Sequence, residues 1–197
     1  MKIKIRKTTA AILVEQRTSL VIDEIELPEF LGVGQVLVKV DFSGICGSQI
    51  GEIDGAKGFD RYLPHLLGHE GAGKVIQTGP GISTVEEGDS VVMHWRAGSG
   101  IQSKPPVYSW RGNKLNAGFV TTFNRYAVVS ENRLTKISGD FPKELATLFG
   151  CAVTTGIGVI ENKGALKMGQ SIVVVGAGGV GLNVIQGASL LSANPIV

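Results

Sequence analysis

The sequence is poor in most of the features that announce a specialised class of protein. It has only two cysteines, Cys46 and Cys151, far apart in the chain and with no C-x-x-C pair. That excludes a disulfide-stapled miniprotein and a zinc finger. Apolar runs such as Ala10–Val14 are too short for a membrane span or a signal-peptide core, although the opening Met1–Lys7 is basic. Runs of like charge are absent as well. The 19 Lys and Arg are interspersed with 17 Asp and Glu, for a net charge of +2, which speaks against a nucleic-acid-binding face. With no export signal the expected compartment is the cytoplasm, with no membrane or nucleic-acid partner. A disulfide is not expected in that reducing setting. The two cysteines are therefore either inert buried thiols or metal ligands.

What is present is a globular composition with one excess. Apolar residues make up 43% and charged residues 18% of 197 positions, enough to bury a core and too apolar for wholesale disorder. The 28 glycines are about double the average share of ~7%. Glycine at that level implies tight turns or places where backbone must come close to something else.

Along the chain, the first part reads as β structure. Ala10–Val14, Leu20–Leu27 and Gln35–Phe42 are β-branched or alternating, as are Lys74–Gln77, Ser90–His94, Arg125–Val129 and Arg133–Ile137. Residues 96–118, rich in Gly and Pro with Tyr108 and Trp110 among them, read as a long surface loop packed by its own aromatics. After Gly139 the character changes. Pro142–Phe149 and Thr154–Asn162 have helical spacing, Ser171–Val175 is an apolar strand, Gly179–Leu191 a helix, and Pro195–Val197 the start of another strand. Strand, helix, strand is the opening of a parallel α/β sheet. The predicted architecture is a β-barrel-like domain followed by part of a doubly wound one.

Two constellations bear chemistry. Gly176-Ala177-Gly178-Gly179-Val180-Gly181 follows the apolar strand and opens a helix. In that context the first glycine closes the turn, the second lets backbone approach a pyrophosphate, and the third lets helix pack on strand. A tight strand-to-helix turn without a ligand is the plainer reading. The second set is Cys46, His69 and Cys151. Two thiolates and an imidazole suit zinc with one open position, but spacing alone does not bring them together, and a core histidine beside buried thiols is the alternative.

Four segments in order resemble the medium-chain zinc-dependent alcohol dehydrogenases. They are Gly44-Ile45-Cys46-Gly47-Ser48, then Gly68-His69-Glu70-Gly71-Ala72-Gly73 with Gly79 and Ile82 behind it, then Gly88-Asp89-Ser90-Val91-Val92, then Gly150-Cys151-Ala152-Val153-Thr154-Thr155-Gly156, with the glycine turn following. The resemblance implies a mainly β, GroES-like barrel over residues 1–152 and an incomplete Rossmann segment over 153–197. It implies a zinc-dependent oxidoreductase moving hydride between a small alcohol or aldehyde and NAD or NADP, homo-oligomeric in its full-length form. Cys46, His69 and Cys151 would hold one catalytic zinc. Glu70 would lie beside the metal and Ser48 would start the proton relay. Thr155, Gly176, Gly178, Gly179, Val180 and Gly181 would contact the cofactor, and Trp95 would wall the substrate pocket. Ser48 as a helix N-cap and Trp95 as plain core are the competing readings.

The chain also departs from the family. The cysteines of a structural zinc lobe are absent from 96–118, so no second zinc is expected. Gly51 stands where a relay histidine is common, which leaves the proton to depart through water. Gln49 stands where an aspartate often accepts the zinc histidine's N–H; an amide oxygen can accept it with less charge. The acidic ribose-binding residue, about 20 residues past the glycine turn, falls beyond Val197, so the 197-residue chain itself is expected to be inactive. A zinc-free quinone or enoyl reductase on the same fold is the rival within the class, and a non-catalytic binding or structural relative the rival outside it.

Overall fold

The computed structural model describes residues 1–197, which divide into two compact units, Met1–Gly150 and Cys151–Val197. No single helix is long and apolar enough to cross a membrane.

The first unit is built from ten strands. They are β1 (Lys7–Leu13), β2 (Val21–Glu26), β3 (Gln35–Ser43), β4 (His65–Leu66), β5 (Glu70–Thr78), β6 (Ser90–His94), β7 (Tyr108–Trp110), β8 (Asn113–Leu115), β9 (Tyr126–Ser130) and β10 (Leu134–Ile137). They form two five-stranded antiparallel sheets, ordered β4-β1-β2-β7-β8 and β10-β6-β5-β3-β9. Alternation along β3 explains the two cores: successive side chains leave opposite faces of a strand. Leu37 joins Ile12, Ile25, Leu66, Tyr108 and Leu115 in a cluster that draws on both sheets. Val36 and Val38 turn the other way, onto Val75, Val91, Met93 and Val129. Both clusters are apolar and closed to water, which is the principal source of stability in such a sandwich. Two short helices follow motifs in this unit: α1 (Gly47–Ile53) and α2 (Lys143–Ala146), the latter running into a 3-10 turn over Thr147–Gly150.

Residues 96–118 are not the plain surface loop that their Gly and Pro content predicts. Strands β7 and β8 form a two-residue hairpin turning through Arg111 and Gly112, at φ 52° and 77°. Two positive φ values in succession match the strand twist, which is why such hairpins prefer them. The aromatics do not pack the loop upon itself. Tyr108 is 1% exposed in the main core, and its hydroxyl accepts the backbone N–H of Val128 at 2.7 Å. Trp110 Nε1 donates to Asp23 of β2 at 2.8 Å, and the Arg111 guanidinium joins the same carboxylate at 2.9 Å.

The loop's earlier half is pinned by a buried segment, Ser130–Arg133. Ile101 N donates to Glu131 Oε2 (2.7 Å) and Ser103 N to Ser130 Oγ (2.9 Å). Arg133 donates to Trp95 O (2.8 Å) and Gln102 Oε1 (3.2 Å). With Gly98 N donating to Asn132 O at 2.7 Å, four consecutive residues order a stretch that lacks metal-binding cysteines.

The second unit contains α3 (Ala152–Gly158), a π-helical turn over Val159–Gly164, and α4 (Gly179–Leu190) around a small core of Ile160, Val184 and Ala188. Ser171–Val175 and Pro195–Val197, expected as strands, make only one parallel bridge, Ile172 to Ile196, with hydrogen bonds on one edge. A buried parallel strand needs neighbours on both sides; here Val173 and Val175 stand 71% and 97% exposed.

Candidate metal centre and the cavity beside it

Cys46 caps the N-terminus of α1, its carbonyl accepting Gln49 N at 3.0 Å. This settles the local role of Ser48: it lies inside the helix rather than capping it, and its hydroxyl donates to Cys46 Sγ at 3.1 Å. His69 immediately precedes β5, and Cys151 is joined by a peptide bond to Gly150, the last residue of the first unit. Cys46 Sγ, a ring nitrogen of His69 and Cys151 Sγ all lie within 4.8 Å of one another. Residues whose spacing could not relate them are thus gathered into one donor set.

Glu70 shows how the segments close. Its side chain is 4% exposed. A Cβ on Gly44 would fall 2.8 Å from its carboxyl carbon, and one on Gly150 would fall 2.7 Å from its Cα. Each of these glycines sits just before one of the cysteines, so any larger residue there would hold a cysteine-bearing segment away from β5.

The electrostatics suit a metal ligand. Burial pushes the His69 pKa below its ordinary value; nearby Glu52 opposes the shift and Lys57 adds to it. The imidazole is thereby kept neutral, the form that binds metals. Its Nδ1 lies 2.5 Å from the Gln49 amide, while Nε2 is buried with no hydrogen-bond partner. A buried ring nitrogen without a partner costs free energy that a bound cation would offset. Two sulfurs and one imidazole are the donor chemistry that zinc takes, so the residues present fit the metal.

A cavity of about 840 Å³ in the first unit reaches His69 and Gln49. Phe59, Arg61, Tyr62, Lys114 and Phe119 are also among the residues that line it. It also contains a histidine–carboxylate pair, His65 Nε2 to Asp60 Oδ2 at 2.8 Å. No motif marked the 54–66 wall in the sequence; its only signal was the turn-forming Gly55, Gly58 and Pro64. Trp95 is not part of this wall. It is 47% exposed, with the Arg96 guanidinium 5.8 Å from its ring centre, so it is not plain core either.

In the second unit Gly176 takes φ +102°, and a Cβ on Gly181 would lie 2.0 Å from Gly176 O. The first and third glycines are thus required by the turn itself. Gly178, the N-cap of α4, has nothing within 4 Å of its Cβ position, which leaves room for a ligand to approach backbone. Gly179, Val180 and Gly181 form the first turn of α4. Thr155 on α3 and Val180 on α4 come from helices in close contact at Gly156, whose Cβ would lie 3.0 Å from Val180 O.

The alcohol dehydrogenase GroES-like domain family matches residues 32–139. The chain belongs to the medium-chain, zinc-type alcohol dehydrogenase family. Relatives include the class-3 alcohol dehydrogenase of Cereibacter sphaeroides, 33% identical over 97% of this chain and 57% of that protein. Another is the S-(hydroxymethyl)glutathione dehydrogenase of a Synechocystis species, 34% identical over 97% of this chain and 58% of that protein. Among solved structures, an alcohol dehydrogenase zinc-binding domain protein from Burkholderia ambifaria superposes with a TM-score of 0.86 at 27% identity, covering 97% of this chain and 58% of the other. The benzyl alcohol dehydrogenase of Acinetobacter calcoaceticus gives 0.82 at 28% identity, covering 98% and 58%. The chain thus spans somewhat over half the length of the relatives it matches, and the medium-chain fold of its first unit is the mainly β, GroES-like one.

Proposed function

We propose that the chain supplies the metal site and the start of the cofactor site of a zinc-dependent oxidoreductase that moves hydride between a small alcohol or aldehyde and NAD or NADP. The observation that carries this reading is the clustering of Cys46, His69 and Cys151 within 4.8 Å, with a buried His69 nitrogen lacking any other partner. These three residues hold one zinc, and no second ion is bound. When bound, zinc supplies Lewis-acid polarisation of the substrate oxygen, and the nicotinamide supplies the hydride chemistry.

The remaining work falls to the protein. Ser48, already hydrogen-bonded to Cys46 Sγ, takes the alcohol proton and passes it to water, since Gly51 offers no side chain to continue the relay. Glu70 keeps the cysteine segments in register from its buried place between Gly44 and Gly150. Thr155 and Val180 bear on the nicotinamide, while Gly176, Gly178, Gly179 and Gly181 present backbone to the pyrophosphate at the α4 N-terminus. Trp95, the residue after β6, lies outside the lining of the cavity of about 840 Å³ and would wall the substrate only from another side.

Elemental analysis tests the reading. Freshly purified chain is expected to contain about one zinc per polypeptide, as a single site of this ligand set holds, and Cys46→Ala or His69→Ala should abolish it. Metal-free wild-type protein after purification in zinc-supplemented buffer would refute the site.

A further inference from the structure

The cavity of about 840 Å³ that reaches His69 carries more positive than negative charge. Lys57, Arg61 and Lys114 line it against Glu52 and Asp60. Both carboxylates are already engaged. Glu52 pairs with Lys57 at 3.5 Å, and Asp60 lies 2.8 Å from His65 Nε2 while accepting the backbone N–H of Tyr62 at 2.8 Å. Neither Arg61 nor Lys114 forms an ion pair, and the side-chain hydrogen bond of Arg61 goes to the Tyr62 hydroxyl at 2.8 Å. Chain pairing brings these two cations to one wall. Lys114 lies in β8 and Asn116 two residues on, so their side chains leave one face, while Leu115 between them is fully buried. Asn116 Nδ2 donates to Tyr62 O (2.8 Å), its backbone N–H donates to Pro64 O (3.1 Å), and Leu66 N donates to Asn116 O (2.9 Å). Arg61, the neighbour of Tyr62, is thereby held beside the strand that carries Lys114. Phe59 and Tyr62 leave 89% and 57% of their surface open here, and Phe119 adds a third ring to the lining.

We propose that the molecule taken by this cavity carries an anionic group, carboxylate or phosphate, that Arg61 and Lys114 bind, and an apolar body that packs on Phe59, Tyr62 and Phe119. A guanidinium presents a fork of donors that matches two oxygens of either anion, and an ammonium adds a point charge. Lys57 is not counted, because Glu52 already neutralises it. The volume lies in the upper part of the range of roughly 300–1,000 Å³ that encloses drug-sized ligands, so a short-chain alcohol would leave most of it to water. Arg61 and Lys114 are then specificity-determining residues. That the anion's carrier is the alcohol or aldehyde substrate rests on the zinc oxidoreductase reading above, since the same cavity reaches His69.

The test uses the 197-residue chain and three probes of similar shape in ligand-observed NMR titrations. They are para-(hydroxymethyl)benzoate, para-(hydroxymethyl)phenyl phosphate and the neutral para-(hydroxymethyl)benzamide. Exposed ion pairs contribute little singly and more when bidentate, so at least one anion should bind about threefold tighter than the amide, or better. Which anion gains more tells carboxylate from phosphate. In the double variant Arg61→Gln, Lys114→Gln, checked for folding by circular dichroism, the preference should vanish while the affinity for the amide stays. A structural role of either residue would weaken all three probes alike, and that result overturns the proposal. A smaller preference in the wild type overturns it too. So does a preference that survives in the double variant, since the anion would then sit on the metal or on Lys57. Zinc content is measured on the same samples. Zinc-loaded chain without the preference refutes the anion site alone, and zinc-free chain that keeps it refutes the metal reading alone.

Discussion

Replacing Glu131 by Gln should destabilise the first unit by about 3 kcal/mol, although the two side chains are nearly isosteric. The Glu131 side chain is fully buried at 0% exposure. Its Oε1 accepts Ser83 N (2.7 Å), Thr84 N (2.9 Å) and Thr84 Oγ1 (3.0 Å), and its Oε2 accepts Ile101 N (2.7 Å). A glutamine has one oxygen for these donors. Its less damaging orientation keeps Oε1 on Ser83 and Thr84 and turns the NH₂ toward Ile101. A hydrogen bond to a charged group contributes about 1.5–3 kcal/mol, and a donor left facing a donor adds about 1 kcal/mol or more. Those figures place the loss near 3 kcal/mol. The pH dependence gives an independent check. Burial pushes the Glu131 pKa up, but the N–H groups of Ser83, Ile101 and Thr84 outweigh it, and the net shift is below the ordinary 4.5. A depressed carboxylate contributes stability that is present above the unfolded value and lost as pH falls through the folded one. Urea midpoints of wild type and Glu131→Gln should therefore differ at pH 7 and converge below about pH 4.5. A loss under about 1 kcal/mol at pH 7, or a gap independent of pH, would refute the reasoning. Because the 101–107 stretch leads into the cavity wall at Pro105, Pro106 and Val107, amide exchange at Ile101, Ser103 and Val107 should also be faster in the variant.

The same logic extends to two other positions. Tyr108→Phe removes the acceptor for Val128 N and should cost about 1–3 kcal/mol in urea unfolding; the tyrosine itself stays un-ionised in alkali, since burial pushes its pKa to about 12. His94 is held neutral chiefly by burial, with the positive charge of Arg133 adding to the shift. Its folded pKa lies below 6.5, so stability is full above that value and declines as pH falls through the folded value. A His94→Gln variant should show a shallower decline in urea midpoint between pH 7 and pH 5, and an unchanged slope would contradict the assignment.

The sequence by itself determined the elements whose information is local. Alternation located β3 and β6 nearly to the residue, and the glycine turn announced the start of α4 at Gly179. Both signals come from periods of two and 3.6 residues and from backbone angles, which neighbouring residues decide. The motifs at Cys46, His69 and Cys151 named the donor set through family resemblance, while composition and spacing left inert thiols and a core histidine open. Tertiary structure decided what depends on distant segments. The fit of Gly44 and Gly150 around Glu70 lets the segments that carry Cys46 and Cys151, 105 residues apart, approach His69. Gln49 meets His69 across 20 residues of sequence. Residues 96–118 read as a loop because their order comes from Ser130–Arg133, Asp23 and Val128, none of them nearby in the chain. Those contacts need partners that only long-range sheet pairing brings within hydrogen-bond reach, and no local window contains them.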